Sequence, residues 1–185
     1  MSDKEALILE AAIELFTRYG IRRTTIGDIA KLAGTSRQTL YASFANKEEV
    51  IVAAITHYST QSLLALERVW VSDAPLAQKL DDHFRIAIVE PFEAMASSPD
   101  MKDILLGPSK DAQAAVQCGN DARLELLAHA FQGYAPQLER NGQTVEDFAN
   151  FAQTASIGFK YNAASRSDLD TLLQSLKTII LRTLQ

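Results

Sequence analysis

Side chains able to hydrogen-bond a nucleic acid crowd one short stretch of the chain, 34-GTSRQTLYASF-44. Arginine can form paired hydrogen bonds with the edge of guanine, and glutamine can do the same with adenine. No acidic residue lies among them. Leu40 and Phe44 are four residues apart, so they would share one face of a helix and anchor it. The stretch is therefore expected to be a short helix that is buried on one side and polar on the other.

Basic residues concentrate around this stretch, although the 185-residue chain carries a net charge of −5. Six basic residues and one acid, Asp28, lie within residues 18–47, which gives that segment +5 and leaves −10 for the rest. The local excess favours a surface that binds an anion such as a phosphate backbone. For Arg22, Arg23 and Lys31, a solvated surface charge is the alternative.

Residues for catalysis or metal binding are not grouped in the sequence. The three histidines are scattered, and there is no His-Glu-x-x-His pattern, cysteine pair or glycine-rich phosphate loop. Cys118 is the only cysteine and has no histidine near it in the sequence, so it is expected to pack as a small hydrophobic side chain. The chain is therefore expected not to be an enzyme, and to need no cofactor and no metal.

Two capping boxes mark where the first two helices should begin. Ser2 with Glu5, and Thr25 with Asp28, match the pattern in which each side chain bonds the backbone N–H of the other residue. Gly20 is expected to end the first helix in the left-handed conformation. The apolar stripe of the first helix consists of Leu7, Ile8, Ala11, Ala12, Leu15, Phe16 and Tyr19.

A helix-turn-helix is expected between residues 26 and 44. Its first helix would bury Ile29 and Ala30 and stop at Gly34, because glycine takes turn conformations that other residues avoid. Ser36 would cap the second helix, residues 37–44. The leading end of that second helix could then enter the major groove of DNA.

The rest of the chain is also predicted to be helical. Pro91 should kink the second of the later helices, and an interruption is expected near Gly119. Pro136 should lie in a loop, and segment 97–111 should hold a turn with one or two helical turns. The later helices are expected over residues 46–69, 75–97, 112–134, 145–164 and 168–184.

These elements define an all-α protein with an N-terminal three-helix helix-turn-helix domain, residues 1–46, and a larger helical domain, residues 47–185. No apolar run reaches the roughly 18 to 20 residues that a membrane span needs. The N-terminus also lacks the pattern of a signal peptide. Because one cysteine cannot form an internal disulfide, the chain is expected in the cytoplasm, with no membrane partner.

The run 20-GIRRTTIGDIAKLAGTSRQTLYASFANKEEV-50 resembles the DNA-binding domain of TetR-family transcriptional regulators. The shared pattern is Gly20, Thr24-Thr25, Ile29-Ala30, Ala33-Gly34, Ser36, Leu40-Tyr41, Phe44 and Lys47-Glu48. Beyond residue 50 the resemblance is one of architecture. It implies DNA contacts at Arg23, Thr24, Thr25, Thr35, Ser36, Arg37, Gln38, Thr39, Tyr41 and Lys47.

Different roles within this set are implied by the resemblance. Thr25 and Lys47 match positions that hold phosphates, and Tyr41 matches one that touches the DNA backbone through its hydroxyl. Residues 35–38 stand at the leading end of the recognition helix, where bases are read. The family often has glycine or another short residue where this chain has Gln38.

The resemblance also implies a homodimer that binds a palindromic operator in double-stranded DNA. The last two helices would form an intermolecular four-helix bundle, since their apolar residues recur at three- and four-residue spacing. Burial of this stripe within its own domain is the alternative. The expected interface consists of Phe148, Phe151, Ala152, Ala155, Phe159, Leu169, Leu172, Leu173, Leu176 and Ile180.

The middle helices are implied to surround a pocket for an unidentified small-molecule effector. A break at Pro91 would open space there. The acidic composition of this part favours a neutral or cationic effector, and plain core packing of the aromatic residues is the alternative. The candidate pocket residues are Tyr58, Ser62, Trp70, His83, Phe84, Ile88, Phe92, Phe131, Tyr134 and Phe159.

Together these expectations describe a transcriptional regulator, a repressor that its effector releases from the operator. Two other interpretations stay open at this point. One is a DNA-binding protein of the same fold that answers to a protein partner or organises the chromosome. The other is a helical ligand-binding protein or enzyme in which the helix-turn-helix is incidental.

Overall fold

The computed structural model describes residues 2–97 and 108–184, which fold into helices joined by short turns. We number the helices α1 (Asp3–Tyr19), α2 (Ile26–Leu32), α3 (Arg37–Ser43), α4 (Lys47–Val71), α5 (Leu76–Phe84), α6 (Glu90–Ser97), α7 (Lys110–Phe131), α8 (Ala135–Arg140), α9 (Val145–Asn162) and α10 (Arg166–Leu184). A π-helical turn, Arg85–Val89, joins α5 to α6, and a 3₁₀ turn, Gln132–Tyr134, joins α7 to α8. The predicted all-α class is confirmed, since the described residues contain no strand.

Hydrogen bonds confirm both predicted capping boxes. Ser2 Oγ accepts from the N–H of Glu5, and the N–H of Ser2 donates to the Glu5 carboxylate. At α2, the N–H of Thr25 donates to Asp28 Oδ2 at 2.9 Å, and Thr25 Oγ1 accepts from the N–H of Asp28 at 3.2 Å. These reciprocal bonds satisfy donors that a helix start would otherwise leave without a partner.

The helix predicted over 75–97 departs from regular geometry before its proline. At the π-helical turn the N–H of Glu90 bonds to the carbonyl of Arg85, five residues back. Pro91 follows as the second residue of α6. Proline has no N–H, and its ring conflicts with the carbonyl four residues back in a regular α-helix. A wider turn therefore lies directly ahead of Pro91, at the position where the helix is predicted to kink or break.

The structure corrects three further predictions about where helices begin, end or break. α7 runs through Gly119 and Asn120 without interruption. Pro136, expected in a loop, lies in the first turn of α8, where a missing N–H costs no helical bond. Gly20 has φ 82° and ψ 157°, so it ends α1 with a positive φ but outside the left-handed helical region. The turn expected in segment 97–111 lies largely outside the described residues.

The chain divides into two compact units, of which the first comprises Met1–Gln61 and Ala94–Gly119. Leu7 and Tyr19, predicted to face the core, are exposed. Cys118 is also exposed, on α7 in this unit, so the expectation that it packs as a hydrophobic side chain is wrong. The core of the first unit consists of Ile8, Leu9, Ala11, Ala12, Phe16, Ile26, Ile29, Ala30, Leu40, Phe44, Val50, Ile51, Ala54, Ile55 and Ala112.

The second unit comprises Ser62–Glu93 and Asn120–Gln185. Here α9 and α10 pack against each other, and Lys177 Nζ donates to both carboxylate oxygens of Asp81 at 2.6 Å. The core of the second unit consists of Leu80, Phe84, Ile88, Val89, Leu127, Phe131, Leu138, Val145, Phe148, Ala149, Ala152, Leu169, Leu173, Leu176, Ile180 and Leu184.

α4 contributes residues to both units as one helix. The functional boundary between residues 46 and 47 stays a prediction, and Lys47 is the first residue of α4. Within the two described stretches of chain, no helix combines the length and the apolar character needed to cross a bilayer.

Candidate nucleic-acid interface and a buried polar cluster

A tight turn sets α3 beside α2 in the first unit. Gly34 has φ 65° and open space beside its Cα, so the backbone conformation rather than crowding favours glycine there. The N–H of Thr35 donates to the carbonyl of Ala30 at 2.9 Å and closes the turn. Leu40 and Phe44 are both buried, as predicted, so α3 is held firmly on one side.

The opposite side of α3 is open to solvent. Arg37, Gln38 and Tyr41 are exposed along it. Ser36 caps the helix as predicted, because its Oγ accepts from the N–H of Thr39 at 3.0 Å and lies 2.9 Å from the Thr39 hydroxyl. The hydroxyls of Ser36 and Thr39 thus bond to each other and to the start of the helix. The longer side chains, Arg37, Gln38 and Tyr41, can extend into solvent.

The guanidinium of Arg37 lies against the backbone of α2. A Cβ on Gly27 would stand 2.4 Å from Arg37 Nη2, so this close approach depends on a glycine at position 27. Hydrogen bonds from Thr25 lower the pKa of the Asp28 carboxyl, and the positive charge of Arg37 lowers it further. Arg37 therefore has to move away from α2, and from Asp28, before it can contact a base.

The predicted DNA contact of Thr24 is not compatible with its position. Its side chain is 2% exposed, and its hydroxyl lies 2.8 Å from the carbonyl of Gly20 and 3.3 Å from that of Leu15. Thr24 therefore ties the loop after α1 to the end of that helix. Thr25 is exposed, and its hydroxyl donates to Asp28 Oδ2 at 2.6 Å.

Lys47 lies at the start of α4 beside the loop that follows α1. Its Nζ donates to the carbonyl of Ile21 at 2.5 Å, and burial lowers the pKa of its ammonium group. An ammonium group has three N–H donors, so this bond leaves others for a phosphate. Arg23, two residues after Ile21, is exposed. An open groove of about 550 Å³ is lined by Leu15, Tyr19, Arg23, Thr24, Asp28, Lys31 and Leu32.

Inside the second unit lies a polar cluster that the sequence analysis missed. It surrounds a small cavity. The volume that the centre of a water molecule can occupy there is about 10 Å³, so the cavity has room for about one water. Only His83 and Ile88 of its residues belong to the predicted pocket. One feature of the sequence could have indicated this cluster. Ala152, Ser156 and Lys160 are spaced four residues apart, so they share the buried side of α9. The cavity is lined by His83, Ala87, Ile88, Asn120, Arg123, Gln153, Ser156, Ile157 and Lys160.

Lys160 is a buried cation, with only 8% of the residue exposed. Burial, followed by the charge of Arg123, lowers the pKa of its ammonium group to about 8. Its Nζ lies 4.8 Å from the ring centroid of Tyr161, a cation–π distance. Among the described residues, no carboxylate forms a salt bridge with it. The charge of Lys160 is therefore offset by an aromatic ring rather than by an acid.

Hydrogen bonds order the other polar side chains of the cluster. Arg123 Nη2 donates to Asn120 Oδ1 at 2.8 Å, which fixes the guanidinium on α7. Gln153 Nε2 donates to the backbone carbonyl of Asn120 at 2.9 Å, and Ser156 Oγ donates to the carbonyl of Gln153 at 2.9 Å. This network holds α9 side chains against α7 within the second unit.

His83 is enclosed between Trp70 and the cluster. Trp70 Nε1–H donates to His83 Nδ1 at 3.1 Å, so this nitrogen must be without a proton. Burial, followed by the charge of Arg123, lowers the pKa of His83 to about 4. Near pH 7 the imidazole is therefore neutral, with its proton on Nε2. The predicted pocket residues Trp70 and His83 thus contact each other directly.

The other predicted pocket residues do not line this cavity, apart from Ile88. Phe84 and Phe131 are buried in the core of the second unit. Ser62 is buried, whereas Tyr58 belongs to the first unit and is partly exposed. The half-buried residues packed against the core of the second unit include Phe92, Tyr134 and Phe159.

The predicted dimer residues divide by burial. Those in the core of their own subunit, and so not on a surface for a second copy, are Phe148, Ala152, Leu169, Leu173, Leu176 and Ile180. Those at least partly exposed are Phe151, Ala155, Phe159 and Leu172. Ile179 adds an exposed apolar side chain on α10, and a Cβ on Gly158 would meet nothing within 4 Å.

The α2–turn–α3 arrangement, its exposed polar helix and its basic surroundings define a helix-turn-helix protein of the DNA-binding class. Residues 8–54 match the sequence profile of the family described as bacterial regulatory proteins, tetR family. These residues therefore form a DNA-binding domain of the TetR type.

Known proteins resemble the chain over different lengths. The HTH-type transcriptional regulator YhgD of Bacillus subtilis is 48% identical over 48 residues, which are 26% of this chain and 25% of YhgD. That alignment spans a quarter of the relative's own length. RutR of Escherichia coli is 28% identical over 182 residues, 83% of this chain and 86% of RutR. The solved SmeT–triclosan complex shares the fold, with a TM-score of 0.61, 21% identity, and 99% of this chain and 90% of SmeT covered.

Proposed function

We propose that the chain is a sequence-specific transcriptional regulator, a repressor that leaves a palindromic operator when a small molecule binds its second unit. The observation that carries this proposal is the exposed polar end of α3, with Arg37 and Gln38 mounted on buried Leu40. A helix supported in this way can enter the major groove and present side chains to base edges. Binding to DNA requires no catalysis and implies a cytoplasmic protein.

Base reading and phosphate binding are assigned to different residues. Arg37 and Gln38 read bases at the leading end of α3, while Tyr41 and Lys47 bind the sugar-phosphate backbone. Arg23 adds a positive charge near the same surface. Residues 35, 36 and 39 contribute hydroxyls, and the bonds that Ser36 and Thr39 make in the cap limit how far these two can reach.

A homodimer is proposed because one recognition helix offers a small contact area, which two-fold symmetry doubles. Phe151 on α9 is 45% exposed and Ile179 on α10 is 50% exposed, so a second copy of the chain could cover both apolar side chains. Gly158 leaves room for a second helix to approach α9 closely. These residues, with Ala155 and Leu172, form the proposed interface.

Ile179→Glu combined with Phe151→Glu is expected to convert the dimer into a monomer, measured by analytical ultracentrifugation. Each carboxylate would be buried without a partner in the dimer, at a cost of several kcal/mol. Val71→Glu is the matched control, because Val71 is 82% exposed and an added charge there stays in water. A dimer that persists in the double variant would contradict the assigned interface.

Release from the operator is proposed to be a population shift. α4 carries Lys47 at its first residue and Trp70 near its end, where Trp70 donates to His83 of the buried polar cluster. A ligand that binds better to one pose of α4 would change the separation of the two recognition helices, so both could no longer seat on DNA. The fold accepts small molecules elsewhere, since SmeT forms a complex with triclosan.

Selection of bound sequences from random double-stranded DNA tests the proposed function. We expect enrichment of a palindrome whose half-sites lie about one helical turn, or a multiple of it, apart. If no palindrome is enriched, the proposal of a dimeric operator-binding regulator fails.

Arg37→Ala and Lys47→Ala are expected to weaken DNA binding in different ways. Loss of Arg37 should relax the preference at one base pair by roughly 1 to 3 kcal/mol, whereas loss of Lys47 should weaken binding to all sequences and reduce the salt dependence by about one phosphate contact. Fluorescence anisotropy with the selected operator and single-base variants, at several salt concentrations, measures both effects. Because Lys47 also bonds to Ile21, melting temperatures are compared in parallel. The assigned roles would be wrong if both variants changed binding alike.

A further inference from the structure

We infer that the buried polar cluster of the second unit binds the carboxylate of a small molecule, with Arg123 and Lys160 as its cationic partners. This inference rests on the proposed function, since it names the chemical class of the effector. It replaces the neutral or cationic effector that the acidic composition favours, because an average over the domain does not describe this enclosed site.

The charges of the cluster carry the inference. Lys160 is enclosed, yet among the described residues it has no carboxylate partner, and Arg123 adds a second positive charge near it. Removing a cation from water is costly unless an opposite charge or good hydrogen bonds compensate. An anion from outside the chain would supply the negative charge that Lys160 lacks among the described residues.

Donor groups around the cavity suit a carboxylate. An arginine guanidinium can donate two parallel hydrogen bonds to the two oxygens of a carboxylate, while lysine contributes a compact charge. The bond between Arg123 and Asn120 orients the guanidinium in advance. His83 uses Nδ1 to accept from Trp70, which leaves its Nε2–H as a further neutral donor. Gln153 completes the polar lining of the cavity.

The cavity must open to admit an organic acid, because its present size fits about one water molecule. One part of its wall is the π-helical turn, which contributes Ala87 and Ile88. π-Helical turns are rare and occur frequently at functional sites. Movement of this turn is therefore the proposed route by which the pocket enlarges around the rest of the ligand.

A purely structural role for Lys160 is the alternative. In that case replacing Lys160 would lower the stability of the protein, and carboxylates would have no effect specific to this site. Binding measurements on the isolated protein, without DNA, distinguish the two explanations. They also keep this inference separate from the proposed function, because operator selection can fail while carboxylate binding succeeds, and the reverse.

The experiment compares benzoate and a series of straight-chain carboxylates, acetate to octanoate, with the matching amides at pH 7 and constant ionic strength. Thermal shift and titration calorimetry report binding to the full chain. At least one carboxylate is expected to raise the melting temperature saturably, while its amide leaves it unchanged. Lys160→Met and Arg123→Gln should each weaken the binding of that carboxylate at least tenfold. Lys177→Met and Arg140→Gln are the controls, since they remove the same charges outside the cavity and should bind as the unmodified protein does.

Two results would overturn the inference. One is that no carboxylate stabilises the unmodified protein more than its amide does. The other is that Lys160→Met binds the stabilising carboxylate as tightly as the unmodified protein. If Lys160→Met does not fold, Lys160→Gln takes its place in the same comparison.

Discussion

Acidification from pH 7 to below pH 4 is expected to cost the folded protein about 3 kcal/mol through His83 alone. Its pKa lies at about 4 in the folded chain, against 6.5 for an ordinary histidine. Between these values the unfolded chain binds a proton that the folded chain does not. The free energy of unfolding therefore falls as the pH drops through this window, and the loss is complete below pH 4.

Local contacts explain why the proton is rejected. Burial is the main cause, and Arg123 adds electrostatic repulsion. A proton on His83 Nδ1 would also face the Trp70 N–H that now donates to this nitrogen. Two further cations lie near this site, since Lys160 lines the same cavity and Lys79 Nζ donates to the carbonyl of Trp70.

Urea unfolding at pH 7, 6, 5 and 4 measures this effect. His83→Asn keeps an acceptor for Trp70 but does not titrate, so its stability should depend less steeply on pH than that of the unmodified protein. His129→Asn is the control, because it removes an exposed histidine that lies outside the buried polar cluster. An equally steep acid loss in His83→Asn would show that other groups cause it.

Lys160→Met is expected to raise the free energy of unfolding by about 3 kcal/mol at pH 7, in the absence of any ligand. The pKa of Lys160 is lowered from 10.5 to about 8, mainly by burial. Below pH 8 the lysine is charged in both states, so the folded chain bears the full cost of the buried charge. That cost declines between pH 8 and 10.5, where only the unfolded chain keeps the proton, and stability rises with pH in this window.

Thermal unfolding at pH 7 and pH 10 tests the size and the sign of this effect. For a chain of this length the gain at pH 7 corresponds to roughly 6 to 12 °C, and loss of the contact with Tyr161 offsets part of it. The advantage of Lys160→Met should shrink at pH 10. Lys177→Met, which removes a lysine paired with Asp81, should bring no gain. A Lys160→Met protein less stable than the unmodified protein at pH 7 would contradict the assignment.

Short-range signals in the sequence predicted the DNA-binding part well. The pairs Ser2–Glu5 and Thr25–Asp28 act over three residues, and Leu40 with Phe44 over four, so neighbouring residues determine the outcome. Thr24 is the exception. A pattern match cannot distinguish a hydroxyl that faces DNA from one that bonds to carbonyls of its own domain.

The spacing of apolar residues did not predict the buried side correctly where the helix changes from α to π geometry. Phe84, Ile88 and Phe92 share a spacing of four, which places them on one face of a regular α-helix. The π-helical turn holds an additional residue, so the buried side shifts after it. Phe84 and Ile88 are buried, whereas Phe92 is only half-buried and its neighbour Pro91 is buried.

The burial of the α10 residues and the position of the buried polar cluster depend on packing between segments far apart in the chain, which the sequence pattern does not reveal. An apolar stripe on α10 shows that the helix buries one side, but not whether the neighbour is its own subunit or a second copy. Leu169, Leu173 and Ile180 turned out to pack into their own core. The buried polar cluster was equally hidden, because His83, Arg123 and Lys160 come from helices far apart in the chain.

The exposed thiol of Cys118 makes the protein suited to spectroscopy without further engineering. It is the sole cysteine of the chain and belongs to the same compact unit as α3. A maleimide spin label would therefore attach once per subunit, which places two probes in the proposed dimer. The distance between them, measured by pulsed electron paramagnetic resonance, would follow the separation of the two DNA-binding units as operator or carboxylate is added.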